Sequence, residues 1–217
     1  MTQTADISDL EIAALISSKI CHDVIGPVGA IGVGLQLHDE EKEDEARRYA
    51  FEMIRSVSHQ AAACLEFARF AFGASGSAGA MIDLAMAEKI SRGYVLYHKG
   101  KPKHQFTWSG PAGYMSKDKV KLLLNLIASS LTALPRGGSI EVKITGSLEQ
   151  PRFDLICRGQ AARLPQHVVE FYTGHNAPAL DAMCVQAYYT CRLAKLAGMP
   201  LVIEKVGEDV RITAMPH

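Results

Sequence analysis

The sequence predicts an α+β protein in two parts. An N-terminal two-helix hairpin, expected to complete a dimeric four-helix bundle, is followed by a layer of mixed strands and helices. Three observations carry this. Apolar and small residues recur at steps of three and four through the first third of the chain, and one run of acids interrupts them. Beyond a Gly/Ser-rich stretch at residues 73–79, shorter strand-like and helix-like segments alternate.

Ser8 followed by Glu11 makes a capping box at a helix start. From there Leu10, Ala14, Ser17, Cys21, Val24, Val28, Ile31 and Leu35 form a 3.5-residue seam, the repeat of helices packed side by side. The run from His38 to Glu45 is too charged to be buried and makes the turn, and its later acids suit the first turn of a second helix. That helix carries Ala46, Tyr49, Met53, Val57, Gln60, Cys64, Phe67 and Ala71 at similar spacing. A lone hairpin exposes too much apolar surface to be stable. Its seam is therefore expected to pair with a second copy, the alternative being to pack on the rest of the chain. The stretch 73–79 has linker chemistry and divides the chain into residues 1–75 and 76–217.

In the second part, helices are expected at residues 83–98, 117–134 and 180–196. Strands are expected at 105–108, 139–145, 153–157, 200–206 and 209–214, with a stop at 135–138. Hairpin-length connections suggest a sheet with helices on one face.

Composition narrows the function. The 23 Lys and Arg balance 23 Asp and Glu, so the chain has no electrostatic footprint for binding nucleic acid. Gly, Ser or charge interrupts the apolar windows before eighteen residues, so no membrane span is expected. MTQTADISDLE lacks the basic start and apolar core of a secretory signal, and a cytoplasmic location follows. Cys21, Cys64, Cys157, Cys184 and Cys191 show no CxxC spacing and read as reduced, buried thiols. The 8 histidines lack metal-ligand spacing, so no metal or other cofactor is expected on this chain.

His22 lies mid-helix within CHDVIGPVGA, one position beside the seam, and is expected at the bundle surface. Its helical neighbours Ser18, Gly26 and Gly29 are small. Gly26, Gly29, Gly32 and Gly34 each cost roughly 1 kcal/mol in a helix relative to Ala, which points to close approach by another surface. Pro27 has no N–H for the carbonyl of Asp23 and is expected to bend the helix. An exposed histidine is by itself ordinary surface chemistry; one standing above a kink, in a clearing of small residues, is a candidate nucleophile.

The helix, the His22-Asp23 pair and the proline at the fifth position resemble the H-box of the dimerisation and phosphotransfer domains of sensor histidine kinases, where the histidine is the phosphoacceptor. KLLLNLIASSLTALPRGGSIEV, from Lys121, resembles the N-box region of the GHKL ATP-binding fold. Asn125 keeps its first Asn, while Ser129 stands where the magnesium-binding Asn belongs. FDLICRGQAARLP, from Phe153, resembles the segment ending in DxGxG, with Cys157 in place of the adenine-reading Asp and Ala161 in place of the second Gly. In the lid before the last helix, Cys184 and Gln186 occupy glycine positions. A phosphate cradle needs glycines so that N–H groups can approach, and this segment cannot supply one. The second part thus resembles a GHKL-like α/β sandwich whose nucleotide site is erased.

With the phrase LEFARFAFGASGSAG at 65–79, the chain is similar to the ChpT-type histidine phosphotransferases of alphaproteobacteria, from about Ser8 to the end. That resemblance implies a homodimer formed through the hairpin, and no use of ATP. His22 would take phosphate from the receiver domain of a hybrid histidine kinase and pass it to response regulators such as CtrA and CpdR, which control the cell cycle. Mg²⁺ would come from the partner receiver. Asp23 is implied to hold Nδ1–H and orient the ring, its alternative being plain surface charge. Lys19, one turn earlier, either approaches the phosphoryl group or stays solvated. Arg55 and His59 fall near the level of His22 in an antiparallel hairpin and are candidate receiver-docking residues. Where related kinases that act as phosphatases carry Thr or Asn to align water, this chain has Gly26. The rivals are a divergent ATP-dependent histidine kinase, which nucleotide binding would reveal, and an inert dimeric adaptor for receiver domains, which would not take phosphate.

Overall fold

The structure, a computed structural model, describes residues 7–73, 79–97, 103–174 and 179–216. The expected linker at 73–79 lies, apart from its two ends, outside the described residues. Helix α1 (Asp9–Glu40) begins at the capping box: Ser8 Oγ accepts the Glu11 N–H, and the Glu11 carboxylate accepts the Ser8 N–H. It runs through Pro27 as one continuous helix. The turn is shorter than its charge suggested, because His38, Asp39 and Glu40 complete α1, and α2 (Asp44–Ala71) starts with two acids in its first turn.

The two helices pack antiparallel along a stripe that shares only Val24 and Ile31 with the predicted seam. Ile12 and Gly34 of α1 are buried, and Asp23, Val24, Pro27 and Ile31 half-buried, while Leu10, Ala14, Ser17, Cys21, Val28 and Leu35 stay exposed. One residue is about 100° around a helix, and α1 is apolar on both stripes, so periodicity alone cannot say which one faces α2. Cys21 is correspondingly an exposed thiol, contrary to expectation; Cys157 and Cys184 are buried. Over eighteen residues α1 is also apolar enough to cross a membrane by length and composition alone. The expectation of no span took Gly and Ser as interruptions, and neither carries charge.

The second half adds β1 (Met81–Asp83), α3 (Leu84–Tyr97), β2 (His104–Ser109), β3 (Tyr114–Ser116), α4 (Lys117–Ala133), β4 (Gly138–Gly146), β5 (Pro151–Arg158), α5 (Gln166–Thr173), α6 (Val185–Ala197), β6 (Leu201–Val206) and β7 (Asp209–Ala214). A five-stranded sheet has the order β2-β4-β5-β7-β6, parallel only at β2–β4, and β1 pairs with β3 apart from it. Ile140, Val142 and Ile144 of β4, Phe153, Leu155 and Cys157 of β5, and Val210, Ile212 and Ala214 of β7 face a shared core with α3, α4 and α6. The opposite face is solvated and laced by ion pairs such as Arg158–Glu141. This alternation is that of a sheet covered on one side. Helix α4 is buried almost all round, which accounts for its continuous apolar run. Its exit needs glycine: Gly137 and Gly138 have positive φ, and a Cβ on Gly138 would run into the Arg158 carbonyl.

Three elements escaped the sequence reading. β1 and β3 are three residues each, too short for alternation to register. α5 lies between Pro165 and the left-handed Gly174, start and stop signals that could have found it. α6 begins later than expected because Asp181 accepts the N–H groups of Met183 and Cys184, a local turn that competes with the helix.

The glycines of α1 divide in their surroundings. A Cβ on Gly34 would meet Ile54 Cγ1 at 2.6 Å, whereas Cβ atoms on Gly26, Gly29 and Gly32 would meet nothing within 4 Å. Gly34→Ala should therefore lower stability by roughly 1–2 kcal/mol, overpacking outweighing the gain in helix propensity. Gly93→Ala in α3, where the added Cβ would also meet nothing within 4 Å, should raise it by up to about 1 kcal/mol. Thermal melting of the two variants distinguishes them.

Candidate active site

His22 projects from the middle of α1 with 76% of its side chain exposed. Beside it, Asp23 turns inward. Its Oδ2 accepts a hydrogen bond from Lys19 Nζ at 2.8 Å, and its Oδ1 lies 3.6 Å from His22 Nδ1. Behind the pair, Cys64 of α2 and Tyr94 of α3 line a small pocket with Lys19 and Asp23. Burial, reinforced by the Asp23 charge, pushes the Cys64 thiol up to about 11. The same two causes push the Tyr94 hydroxyl up. Both stay neutral, so among the described residues lining this pocket the charges are the carboxylate and its lysine.

His22 and Asp23 also border a cleft of about 600 Å³ between α1 and the second half. Tyr94, Thr132 of α4, His167 of α5, and Asp181 and Cys184 ahead of α6 line the other side. The Cys184 thiol donates to Asp181 Oδ1 at 2.9 Å, and this bond is the main cause holding the Asp181 carboxyl below the usual carboxylate range. Of the residues singled out from sequence, His22, Asp23 and Lys19 come together here. Gly26, exposed, and Pro27, half-buried, lie one turn further along α1. Arg55 and His59 do not border this cleft. Arg55 pairs with Glu52 and lies over the Phe51 ring, and His59 stacks on Tyr97 with ring centroids 5.6 Å apart. Tyr94, Thr132, His167 and Asp181 were not anticipated, since each sits in an ordinary helical or loop context with no motif around it.

The positions that resemble nucleotide ligands in the sequence bond to one another here. Buried Asn125 donates to the carbonyls of Ala71, at 3.0 Å, and Lys121, at 2.9 Å. Its own oxygen accepts from Gln186, which stands at a lid glycine position. Ser129 Oγ donates to the Asn125 carbonyl and accepts from the Tyr172 hydroxyl at 2.9 Å. Cys157 is buried in the sheet, and burial pushes its thiol up to about 11, so it offers no carboxylate for an adenine amine. Among the described residues, no group of three or more His, Cys, Asp or Glu could hold a metal ion.

An exposed histidine on a helical hairpin, joined to a kinase-like body whose ligand positions bond to one another, defines the class: a histidine phosphotransferase. Residues 84–209 match the family described as the histidine phosphotransferase C-terminal domain. The chain is 43% identical to the protein phosphotransferase ChpT of Brucella abortus (strain 2308) over 216 residues, 99% of this chain and 100% of that protein. It also superposes on the solved structure of a bacterial phosphotransferase with a TM-score of 0.87 at 40% identity, covering 97% of this chain and 98% of that one. The chain belongs to the histidine phosphotransferase family.

Specific ATP binding at 100 times its dissociation constant would stabilise the fold by about 2.7 kcal/mol. With Tyr172, Ser129, Asn125 and Gln186 satisfying one another, millimolar ATP with Mg²⁺ should leave the melting temperature unchanged. A saturable upward shift would instead revive the kinase reading.

Proposed function

We propose that His22 is the phosphoacceptor of a relay between receiver domains and that the chain works as a cytoplasmic homodimer. The observation that carries this is the exposed imidazole whose Nδ1 side is covered by a lysine-held carboxylate. With Nδ1–H directed at Asp23, the lone pair rests on Nε2, facing outward. The 3.6 Å separation is longer than a hydrogen bond, and contacts of this kind tighten when the partner docks.

Nε2 attacks the phosphorus of an aspartyl phosphate on the docked receiver. The P–O bond to the receiver carboxylate breaks and its electron pair stays on that carboxylate, leaving phosphohistidine with the proton kept at Nδ1. The reverse sequence hands the group to a second receiver. Such transfer depends on positioning and charge neutralisation, and the receiver's acidic pocket would bring the Mg²⁺. In this reading the donor is the receiver of a hybrid histidine kinase, and the recipients are CtrA-like and CpdR-like regulators of the cell cycle, as in the ChpT-type proteins that the chain resembles. Arg55 and His59, exposed on α2, would touch the receiver. Gly26 has no side chain to hold an attacking water, so hydrolysis of the receiver's phosphate is not expected.

The dimer accounts for the second apolar stripe. Leu10, Ile25, Val28 and Leu35 of α1, with Leu65 of α2, are large and exposed in one chain. Gly32, one turn from Val28 on that stripe, has open space over it that lets another helix approach closely. A second copy of the hairpin supplies matching helices and closes a four-helix bundle.

His22→Ala should abolish labelling by a phosphorylated receiver while melting as the wild type does; persistent labelling would exclude His22. Asp23→Ala should slow transfer by roughly 100-fold without abolishing it, measured by single-turnover quench. In the dimer, Val28→Asp buries an unpaired charge worth roughly 3–5 kcal/mol. It should sediment as a monomer where the wild type is a detergent-free dimer. A wild type that sediments as a monomer, or partitions into membranes, contradicts the bundle.

A further inference from the structure

We infer that Lys19 is a positioning residue for phosphate acceptance: it acts through Asp23 to fix the His22 ring, without touching the phosphoryl group or the receiver. The inference rests on the reading of His22 as acceptor. Three observations carry it. Lys19 is only 17% exposed although it stands one turn from a histidine that is 76% exposed, so it leans away from the face where a receiver would dock. Its ammonium is committed to Asp23 Oδ2 at 2.8 Å. The two carboxylate oxygens are thereby divided, Oδ2 to the lysine and Oδ1 to His22 Nδ1.

The surroundings show why a lysine is needed there. Asp23 is flanked by Cys64 from α2 and Tyr94 from α3, both neutral. Across the cleft stand His167 of α5 and, ahead of α6, Asp181 with the Cys184 thiol. Lys19 is therefore the one cation seen to bond Asp23 among the described residues. Without it the carboxylate loses the contact that fixes its torsion, and it can turn Oδ1 away from the ring. An unheld neutral imidazole exchanges its proton between the two nitrogens. Any proton on Nε2 removes the attacking lone pair. The chemistry thus needs a carboxylate locked in orientation, and the salt bridge supplies that lock by converting a rotatable group into a fixed acceptor.

The test separates positioning from docking by using two donors on the full-length protein: phosphoramidate, a small molecule that phosphorylates histidine directly, and a phosphorylated receiver domain. Lys19→Met should slow labelling of His22 by both donors by the same factor, roughly 10- to 100-fold. Lys19→Arg, which can still reach Asp23, should restore most of the rate with both. In ¹⁵N NMR of the neutral protein, the His22 ring should change from Nδ1–H with a bare Nε2 in the wild type to a mixture of tautomers in Lys19→Met. Wild-type labelling of Lys19→Met by phosphoramidate overturns the inference, as does an unchanged His22 tautomer. A defect confined to the receiver overturns it too, by making Lys19 a docking residue. Labelling of His22→Ala by phosphoramidate would instead bring down the underlying assignment of the acceptor, a separate result.

Discussion

The end of α2 lies in the same core as the sheet, and the placing of His22 depends on that. Phe67 stacks on Tyr94 of α3 with ring centroids 3.8 Å apart, and Asn125 of α4 holds the carbonyl of Ala71, the last residue of α2. A buried amide left without its partners costs about 1–3 kcal/mol, so Asn125 resists any movement that would draw α2 off the body. From this anchor α2 carries α1. Tyr94 then stands behind Asp23, and the cleft opens beside His22. Arg192 of α6, bonded to Asp9 at 3.2 Å, ties the start of α1 to the same body. A kinase must bring a nucleotide to its histidine and then release it; a carrier has no such need, and here the two parts share hydrophobic packing.

Positions that resemble nucleotide-binding motifs in the sequence share in this holding work. Asn125, retained from the motif, spends its amide on Ala71 and Lys121 instead of a ligand. Gln186 and Ser129, both departures from the motif, complete the bonding of Asn125 and Tyr172. The residue that fixes the end of the hairpin is thus itself held by the two that depart from the motif. The cleft beside His22 is bordered partly by the segment that leads into α6, so the body faces the histidine.

Much of this was legible in the residues. The capping box, the charged turn and the glycine-rich exit of α4 declared themselves because each rests on local chemistry. The strands of the main sheet alternate in burial, as their sequences do. The stripe of α1 that meets α2 was legible only at Val24 and Ile31, since a helix apolar on two adjacent faces fits two overlapping seams, and only tertiary packing of Ile12 and Gly34 selects between them. His22 and Asp23 were singled out through their motif. Tyr94, Thr132, His167 and Asp181 were not, because they come to the cleft from three separate helices and the segment ahead of α6. Lys19 was noticed but left between two roles; its bond to Asp23 depends on which way the helix face turns.

The central claim is that one nitrogen of one histidine carries the phosphate. The measurement that tests it most directly is heteronuclear ³¹P–¹⁵N NMR of the chain after transfer from a phosphorylated receiver domain, with acid-labile phosphate mapped by mass spectrometry on the same sample. A single phosphohistidine at His22, with phosphorus bonded to Nε2 and the proton retained on Nδ1, is the predicted result. Phosphate on His59, on His167 or on Nδ1 of His22 would contradict the account.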